Sequence, residues 1–268
     1  MIPYLHLGPL TIPTFGLMVA LALISAAYIL QADFDRRGMK ADAFFMITVA
    51  GVAGIVGAKI YHILDDPGIQ LYYPNAGFLF SISMLRWVLF SRYGFAWFGG
   101  FLGGFGAMLW LGRRAKLPLL QFLDACSPAA SFGYAMGRIG CFLSGDGDYG
   151  KPTSLPWGMS FPDGVVPTTQ RVHPAPLYEL IIWCAIGAFL WKLGGRWLKN
   201  PKAQGKIFCL YLILTGIARF LVEIIRINPP WILGMSNAQV ASVVSALGGV
   251  LFLLYVKASS HRLKPKKI

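Results

Sequence analysis

Three basic residues lie within long apolar stretches of the sequence: Lys59, Arg138 and Arg219. A cation at the centre of a bilayer costs about 2.5–3.5 kcal/mol on insertion scales, so such a residue needs a partner or a function. Glu223 follows Arg219 by four residues and Arg226 follows it by seven, which places all three on one face of a helix. Arg offers planar donors that match phosphate oxygens. The pattern therefore predicts a site for an anionic group, and a phospholipid headgroup is the natural candidate.

A structural interpretation of these residues stays open. Arg138 and Arg226 lie near predicted helix ends, where a long side chain can reach water. Arg219 can form a structural ion pair with Glu223, although its depth gives it no easy route to water. Glu179, at the start of another apolar stretch, belongs either to a helix cap or to the site.

The composition predicts the elements that must position these residues. Of the 268 residues, 56% are hydrophobic and 13% charged, which excludes a disordered chain, a disulfide-stapled secreted domain and an ordinary cytosolic enzyme. A bilayer requires about 20 apolar residues per helix. Seven stretches meet this length: 14–32, 43–64, 94–112, 119–142, 175–194, 207–226 and 237–256. The sequence thus predicts an all-α membrane protein with seven transmembrane helices in one domain, 1–268.

Another apolar stretch, 76–90, is short and contains Arg86 and Trp87. We interpret it as an interfacial or re-entrant piece. The four cysteines lie within the predicted spans and have no metal-ligand spacing, so no metal or cofactor is expected.

The distribution of positive charge predicts the orientation. Of the 24 Lys and Arg residues, 16 fall in the first, third and fifth loops and the C-terminal tail. The positive-inside rule places these on the cytoplasmic side, with the N-terminus outside and the C-terminus inside. The outer loop 144–172 is long enough to cap a site. Nucleic-acid binding, which a pI near 9.8 also suggests, needs a soluble basic face that this chain has little surface to build.

The predicted outer half of the bundle gathers further polar and flexible groups. Asp146, Asp148 and Asp163 lie in the outer loop, and His173 follows it. The stretch Phe98–Gly106 is rich in glycine, which lets helices approach closely and also admits an acyl chain or exposes a backbone N–H.

Several blocks of sequence together resemble one enzyme family. The segment Gly137–Gly150 (GRIGCFLSGDGDYG) is similar to the signature of prolipoprotein diacylglyceryl transferases, Gly-Arg-x-Gly-Asn-Phe-x-Asn-x-Glu-x-x-Gly. Other matching blocks follow in the family's order over nearly the whole chain: Phe15–Met18, Gly57–His62, Phe98–Phe101, Leu155–Gly158, His173-Pro174, Leu177–Glu179 and Arg219–Glu223.

The resemblance implies a monomeric enzyme of the bacterial inner membrane with its active site toward the periplasm. It would transfer the diacylglyceryl group of phosphatidylglycerol to the lipobox cysteine of a preprolipoprotein signal peptide and release glycerol phosphate. Arg138 and Arg219 would stabilise the phosphate leaving group. Glu223 would orient Arg219, and Asp146 would orient Arg138 or hold the headgroup.

The chain departs from the family pattern at several polar positions. Phe98 replaces the His of a His-Gly-Gly motif that is the favoured base, so His173 is the first substitute and His62 the second. The loop has one additional residue, so Asp148 is an alternative to Asp146 as the match for the signature Glu. The expected substrate-binding set is Phe15, Lys59, Phe98, Gly99, Gly100, Cys141, Ser144 and Asp146.

Two alternatives to this transferase stay open. One is a lipid-binding or transport protein in which the cations hold an anion without transforming it. The other is a catalytically altered paralogue that keeps the fold, because the missing His removes the usual proton acceptor.

Overall fold

A computed structural model describes the backbone of residues 1–65 and 97–262 and the side chains of 1–61 and 98–258. Within these residues the protein is built from α helices. There are seven: α1 Thr14–Arg37, α2 Ala43–Asp65, α3 Trp97–Arg114, α4 Leu119–Ser144, α5 Ala175–Trp197, α6 Lys206–Ile224 and α7 Asn237–Arg262. Each predicted stretch overlaps one helix, so the helical fold class is confirmed.

Five segments of the described chain are long and apolar enough to cross a membrane: Thr14–Arg37, Ala43–Tyr61, Ala175–Trp197, Pro201–Ile224 and Asn237–Ala258. Helix α4 has sufficient length but lower hydropathy, since it contains Asp124, Ser127, Ser131 and Arg138. The chain is therefore a helical protein with several helices suited to span a bilayer.

The described residues form two compact units. One comprises 1–40 together with the chain from 119 onward, and the other comprises 41–118. The prediction of a single domain over 1–268 stays a prediction. The stretch 76–90 lies outside the described residues, as does the side chain of His62.

Glycines hold α2 against α3 in the second unit. A Cβ on Gly57 would stand 2.4 Å from the carbonyl oxygen of Gly99, and one on Gly99 would stand 2.2 Å from that of Gly57. A Cβ on Gly103 would meet the carbonyl oxygen of Ala53 at 2.3 Å. Because no side chain fits these gaps, the glycine stretch serves helix packing, one of the two roles expected for it.

In the first unit, α4 packs between α1 and α5, and α6 packs against α7. The approach of α6 to α7 again depends on glycine, because a Cβ on Gly216 would meet the carbonyl oxygen of Ser242 at 2.7 Å. On the other side of the unit, Tyr134 of α4 stacks on Trp183 of α5 with ring centroids 4.6 Å apart.

Two short antiparallel hairpins join the helices of this unit. Strands β1 (Tyr4–Leu7) and β2 (Leu10–Pro13) precede α1, and β3 (Met159–Phe161) and β4 (Thr168–Val172) lie between α4 and α5. The loop before β3 is fastened to the end of α6, since the N–H of Lys151 donates to the carbonyl oxygen of Ile225 at 2.7 Å.

Candidate active site

The centre of the site is the carboxylate of Glu179, in the second turn of α5. It is fully buried and receives Arg138 of α4, whose Nε lies 2.8 Å from its Oε2. Arg219 of α6 approaches from the other side, with Nη1 2.6 Å from Oε1. The third guanidinium, of Arg226 just after α6, places Nη1 3.8 Å from Oε2. One carboxylate thus draws together guanidiniums that are up to 88 positions apart in the sequence.

A second carboxylate, of Asp148, comes from the loop after α4. Its two oxygens pair with Arg138 and Arg226. Burial alone would raise the pKa of Asp148, but the hydrogen bond from Arg226 and the two positive charges outweigh it and lower this pKa to about 2. The loop therefore contributes an ionised side chain to the site.

The third carboxylate is that of Glu223, one helical turn after Arg219. Its Oε2 lies 2.8 Å from Nη2 of Arg219, and its Oε1 accepts hydrogen bonds from Ser236 at 2.7 Å and from Asn228. Glu223 is buried, and it contacts Arg219 of its own helix as well as two residues of the connection between α6 and α7. It therefore fixes the orientation of Arg219.

Among the described residues of this cluster, three guanidiniums face three carboxylates, so their formal charges cancel. Breaking one partner of such a buried pair is costly because it leaves an uncompensated charge. The arginines differ in access: the side chains of Arg138 and Arg219 are 14% and 20% exposed, and that of Arg226 only 7%. Arg138 and Arg219 are thus more exposed than Arg226.

Tyr134 completes the contacts of Arg138. Nη2 of Arg138 donates to the Tyr134 hydroxyl, which in turn donates to Oε1 of Glu179 at 3.0 Å. The guanidinium also lies over the Tyr134 ring, 4.7 Å from its centroid. These contacts restrict Arg138 to one orientation.

Cys141, Ser144 and Asp146 stand where the family signature has Asn, Asn and Glu, and they follow Arg138 in the chain. Nη1 of Arg138 donates to Sγ of Cys141 at 3.4 Å, and the buried Ser144 hydroxyl donates to the carbonyl oxygen of Cys141 at 3.2 Å. Asp146 accepts the backbone N–H of Asp148 at 3.2 Å. Burial and the nearby Asp148 charge raise the pKa of Asp146. The loop carboxylate that pairs with Arg138 is therefore Asp148, the alternative match, and Asp146 supports the turn that carries it.

Ligand atoms of Cys141, Asp146 and Asp148 lie within 4.8 Å of one another. This donor set fits a metal poorly, because both oxygens of Asp148 already face guanidiniums.

Phe15, in the first turn of α1, packs on the signature helix. A Cβ on Gly140 would stand 3.3 Å from the Phe15 ring and 3.0 Å from the Cβ of Met18. Gly140 therefore lets α1 approach α4 beside Arg138.

His173 makes its side-chain hydrogen bond outside the charged cluster. Its Nδ1 lies 3.2 Å from the Tyr178 hydroxyl, which accepts the indole N–H of Trp157 at 2.8 Å. The N–H of Gly150 donates to the carbonyl oxygen of His173 at 2.8 Å. His173 is thus fixed between the loop and the start of α5.

The remaining expected substrate-binding residues belong to the second unit. Lys59 is buried in α2, Gly99 and Gly100 lie in the first turn of α3, and Phe98 is half exposed with its ring centroid 6.4 Å from that of Tyr61. Gly100 differs from Gly99, since a Cβ there would meet its neighbours at an ordinary 3.6 Å.

Sequence reasoning underrated Glu179 and Arg226 and did not single out Tyr134. A search of the spans for acids as well as bases would have emphasised Glu179, because it is the first charged residue of α5 and Lys192 is the next. For Tyr134 no comparable signal exists, because a tyrosine in an apolar stretch is ordinary core.

Long apolar helices and a buried, charge-balanced cluster define a multi-pass membrane protein. A family model described as prolipoprotein diacylglyceryl transferase matches residues 3–255. The chain belongs to the prolipoprotein diacylglyceryl transferase family.

Relatives from distant bacteria match most of the chain, and each is named phosphatidylglycerol–prolipoprotein diacylglyceryl transferase. The protein of Bifidobacterium longum is 32% identical over 268 residues, covering 93% of this chain and 82% of the relative. That of Photobacterium profundum is 31% identical over 270 residues, covering 98% and 94%. That of Clostridium tetani is 29% identical over 240 residues, covering 88% and 90%.

Proposed function

We propose that this chain transfers the diacylglyceryl group of phosphatidylglycerol to the lipobox cysteine thiol of a preprolipoprotein. The observation that carries the proposal is the pairing of Arg138 and Arg219 on one buried carboxylate in a member of this family. The names of the relatives state the same two substrates.

The reaction forms one bond and breaks one. The thiol sulfur bonds to the glycerol carbon that carries the phosphate, and the bond from that carbon to the phosphate oxygen breaks. Glycerol phosphate leaves with the electron pair, and the thiol proton passes to a base. Donors fixed in advance around the leaving oxygen stabilise this charge without reorganising.

Arg138 and Arg219 supply those donors. A guanidinium has five N–H groups, and the ion pairs of Arg219 engage only Nη1 and Nη2 with one carboxylate oxygen each. Its remaining N–H groups, together with the exposed part of Arg138, can bind phosphate oxygens. The carboxylates of Glu179 and Glu223 keep both guanidiniums in place before substrate arrives.

His173 accepts the thiol proton. A free cysteine is only a few per cent ionised near pH 7, so a base is needed. Support for this role comes from its contacts: Tyr178 oxygen has two lone pairs and can accept both the Trp157 indole N–H and Nδ1–H of His173. In that tautomer the lone pair of Nε2 is available.

The protein crosses the bacterial inner membrane seven times as a monomer, with the N-terminus outside and the C-terminus in the cytoplasm. The 16 basic residues of the loops and tail support this orientation. It places Arg138 near the outer face and makes 144–172 a periplasmic cap, which contributes Asp148 to the site. The proposed substrate-binding residues are Lys59, Phe98, Gly99, Gly100, Phe15, Cys141, Ser144 and Asp146.

The test is transfer from phosphatidylglycerol to a lipobox peptide by the purified chain in detergent. We expect Arg138→Gln and Arg219→Gln each to lower the rate at least about 100-fold, the usual effect of losing a transition-state donor. Arg196→Gln, which removes an exposed arginine at the end of α5, is the matched control and retains the rate.

The outcomes separate mechanism from function. Folded Arg138→Gln and Arg219→Gln variants with unchanged rates would refute the electrostatic mechanism. An unmodified chain that neither transfers the lipid nor rescues a transferase-depleted strain, although it inserts normally, would refute the function and favour an altered paralogue.

A further inference from the structure

A second group of buried charges lies at the opposite end of α4. Asp33 of α1 is fully buried, and a single oxygen, Oδ1, pairs with Nε of both Arg36 and Arg37. The side chain of Arg37 is only 9% exposed. Among the described residues, Nη2 of Arg36, Nη2 of Arg37 and Oδ2 of Asp33 are all buried without a hydrogen-bond partner. Buried polar atoms normally have hydrogen-bond partners, so this group of charges needs an explanation.

The two unpartnered nitrogens converge on one place. A Cβ on Gly194 of α5 would stand 3.0 Å from Nη2 of Arg36 and 3.2 Å from Nη2 of Arg37. Arg36 is held there, since its Nη1 donates to the carbonyl oxygen of Trp191 at 3.0 Å and its guanidinium lies 3.9 Å from the centroid of the Trp191 ring. The absence of a side chain at Gly194 leaves room for both guanidiniums beside α5.

Arg36 and Arg37 line a cavity of about 230 Å³ between the end of α1, the start of α4 and the connection from α5 to α6. Lys199 adds a third cation to the lining. The acid in the lining is Asp124, and its two oxygens already accept the N–H groups of Gly205 at 2.7 Å and Phe208 at 2.9 Å. The lining therefore carries three cations against one acid, whose oxygens already accept backbone N–H groups.

We propose that this cavity binds a phosphate group, either the headgroup of an anionic lipid or inorganic phosphate. Two adjacent guanidiniums match the oxygens of a phosphate in charge and geometry. The volume suits a group of this size, being below the roughly 300–1,000 Å³ of sites for larger ligands.

This site is distinct from the candidate active site. From Gln121, which lines the cavity, to Arg138 is 17 residues of α4, or about 25 Å at the helical rise of 1.5 Å per residue. That length approaches the thickness of a bilayer core, about 30 Å. A lipid bound here would thus belong to the leaflet opposite the one that supplies the active site.

The test is thermal unfolding of the full chain in detergent with two probes, phosphatidic acid in the micelle and inorganic phosphate in solution. We expect a probe to raise the melting temperature of the unmodified chain and to bind about tenfold more weakly to Arg37→Gln, which loses a charged donor. Lys199→Gln, which leaves the Asp33 pairs intact, weakens binding without changing the melting temperature in the absence of probe. Lys192→Gln and Arg196→Gln, exposed on α5 and outside the lining, are the controls.

Each pattern of results has one meaning. A site-dependent response to phosphatidic acid alone identifies a lipid headgroup, and a response to inorganic phosphate as well identifies a site for the phosphate group itself. If neither probe acts on the unmodified chain, or if both act equally on Arg37→Gln and Lys199→Gln, the proposal is wrong.

Discussion

Two carboxylates, of Glu179 and Asp148, each contact two arginines of the candidate active site and hold them in position. Glu179 contacts Arg138 and Arg219 at 2.8 and 2.6 Å while fully buried. Asp148 contacts Arg138 and Arg226 but keeps a side-chain exposure of 29%. Glu179 is therefore the buried centre of the cluster. Asp148 connects the loop after α4 to the cluster through its ion pairs.

Asp148 makes stability depend on pH in the acid range. The pKa of Asp148 is about 2 in the folded chain, whereas the usual value is 3.8. The contribution of Asp148 to stability is therefore complete above pH 4 and is lost as the pH falls through 2. Asp148→Asn should lower the free energy of unfolding by about 2 kcal/mol at pH 7, and the difference from the unmodified chain should shrink between pH 4 and pH 2. Chemical unfolding in detergent across this range measures both.

Asp146 is the matched control for that prediction. Its pKa is raised by burial and by Asp148, so its ionised form does not favour the folded state, and Asp146→Asn should not destabilise the chain at pH 7. Equal losses for both variants at pH 7 would contradict the assignment of Asp148 as the paired carboxylate.

At the scale of elements, glycine faces decide which helices can pack together. Gly57 and Gly99 bring the backbones of α2 and α3 into contact, and Gly216 does the same for α6 and α7. Small residues at such interfaces are the usual means by which membrane helices associate. The loop after α4 has a different function, because it positions a charged side chain instead of packing a helix.

Gly99→Ala should destabilise the second unit. Its Cβ would stand 2.2 Å from a backbone oxygen of Gly57, and overpacking of this kind costs about 1–3 kcal/mol. Gly106→Ala, on the same helix with nothing within 4 Å of the added Cβ, should be neutral or slightly stabilising because alanine favours helix. Thermal unfolding followed by circular dichroism distinguishes the two, and equal melting temperatures would show that α2 and α3 do not pack through Gly99.

At the scale of the whole molecule, the uneven charge of the loops predicts the orientation in the membrane. The proposed topology places Thr169 of β4 outside and Lys202, between α5 and α6, inside. Both residues are exposed, which makes them suitable positions for labelling.

In intact spheroplasts, Thr169→Cys should react with a membrane-impermeant maleimide, and Lys202→Cys should react only after lysis. The unmodified chain is the control for its native cysteines, of which Cys141 and Cys209 are buried. The reverse pattern of labelling would overturn the orientation, and labelling of both sites before lysis would overturn the number of crossings between them.

The amino-acid sequence was sufficient to determine the helical membrane class and the family, and it singled out Arg138 and Arg219 as candidate site residues. The physical reason is that hydropathy and charge act locally: a span must be apolar along its own length, and a cation within it stands out. The prediction that Glu223 accompanies Arg219 rests on helical spacing, which is likewise local.

Only the tertiary structure decided which groups share the cluster. Glu179 joins Arg138 and Arg219 although it is 41 residues after one and 40 before the other, and no local periodicity encodes that contact. The choice between Asp146 and Asp148 also depended on the fold, because the direction of a loop side chain follows from its backbone turns and from Arg226 beyond α6. The packing of the helices decides which charges pair with each other, whereas the sequence alone shows that charges within apolar stretches need partners.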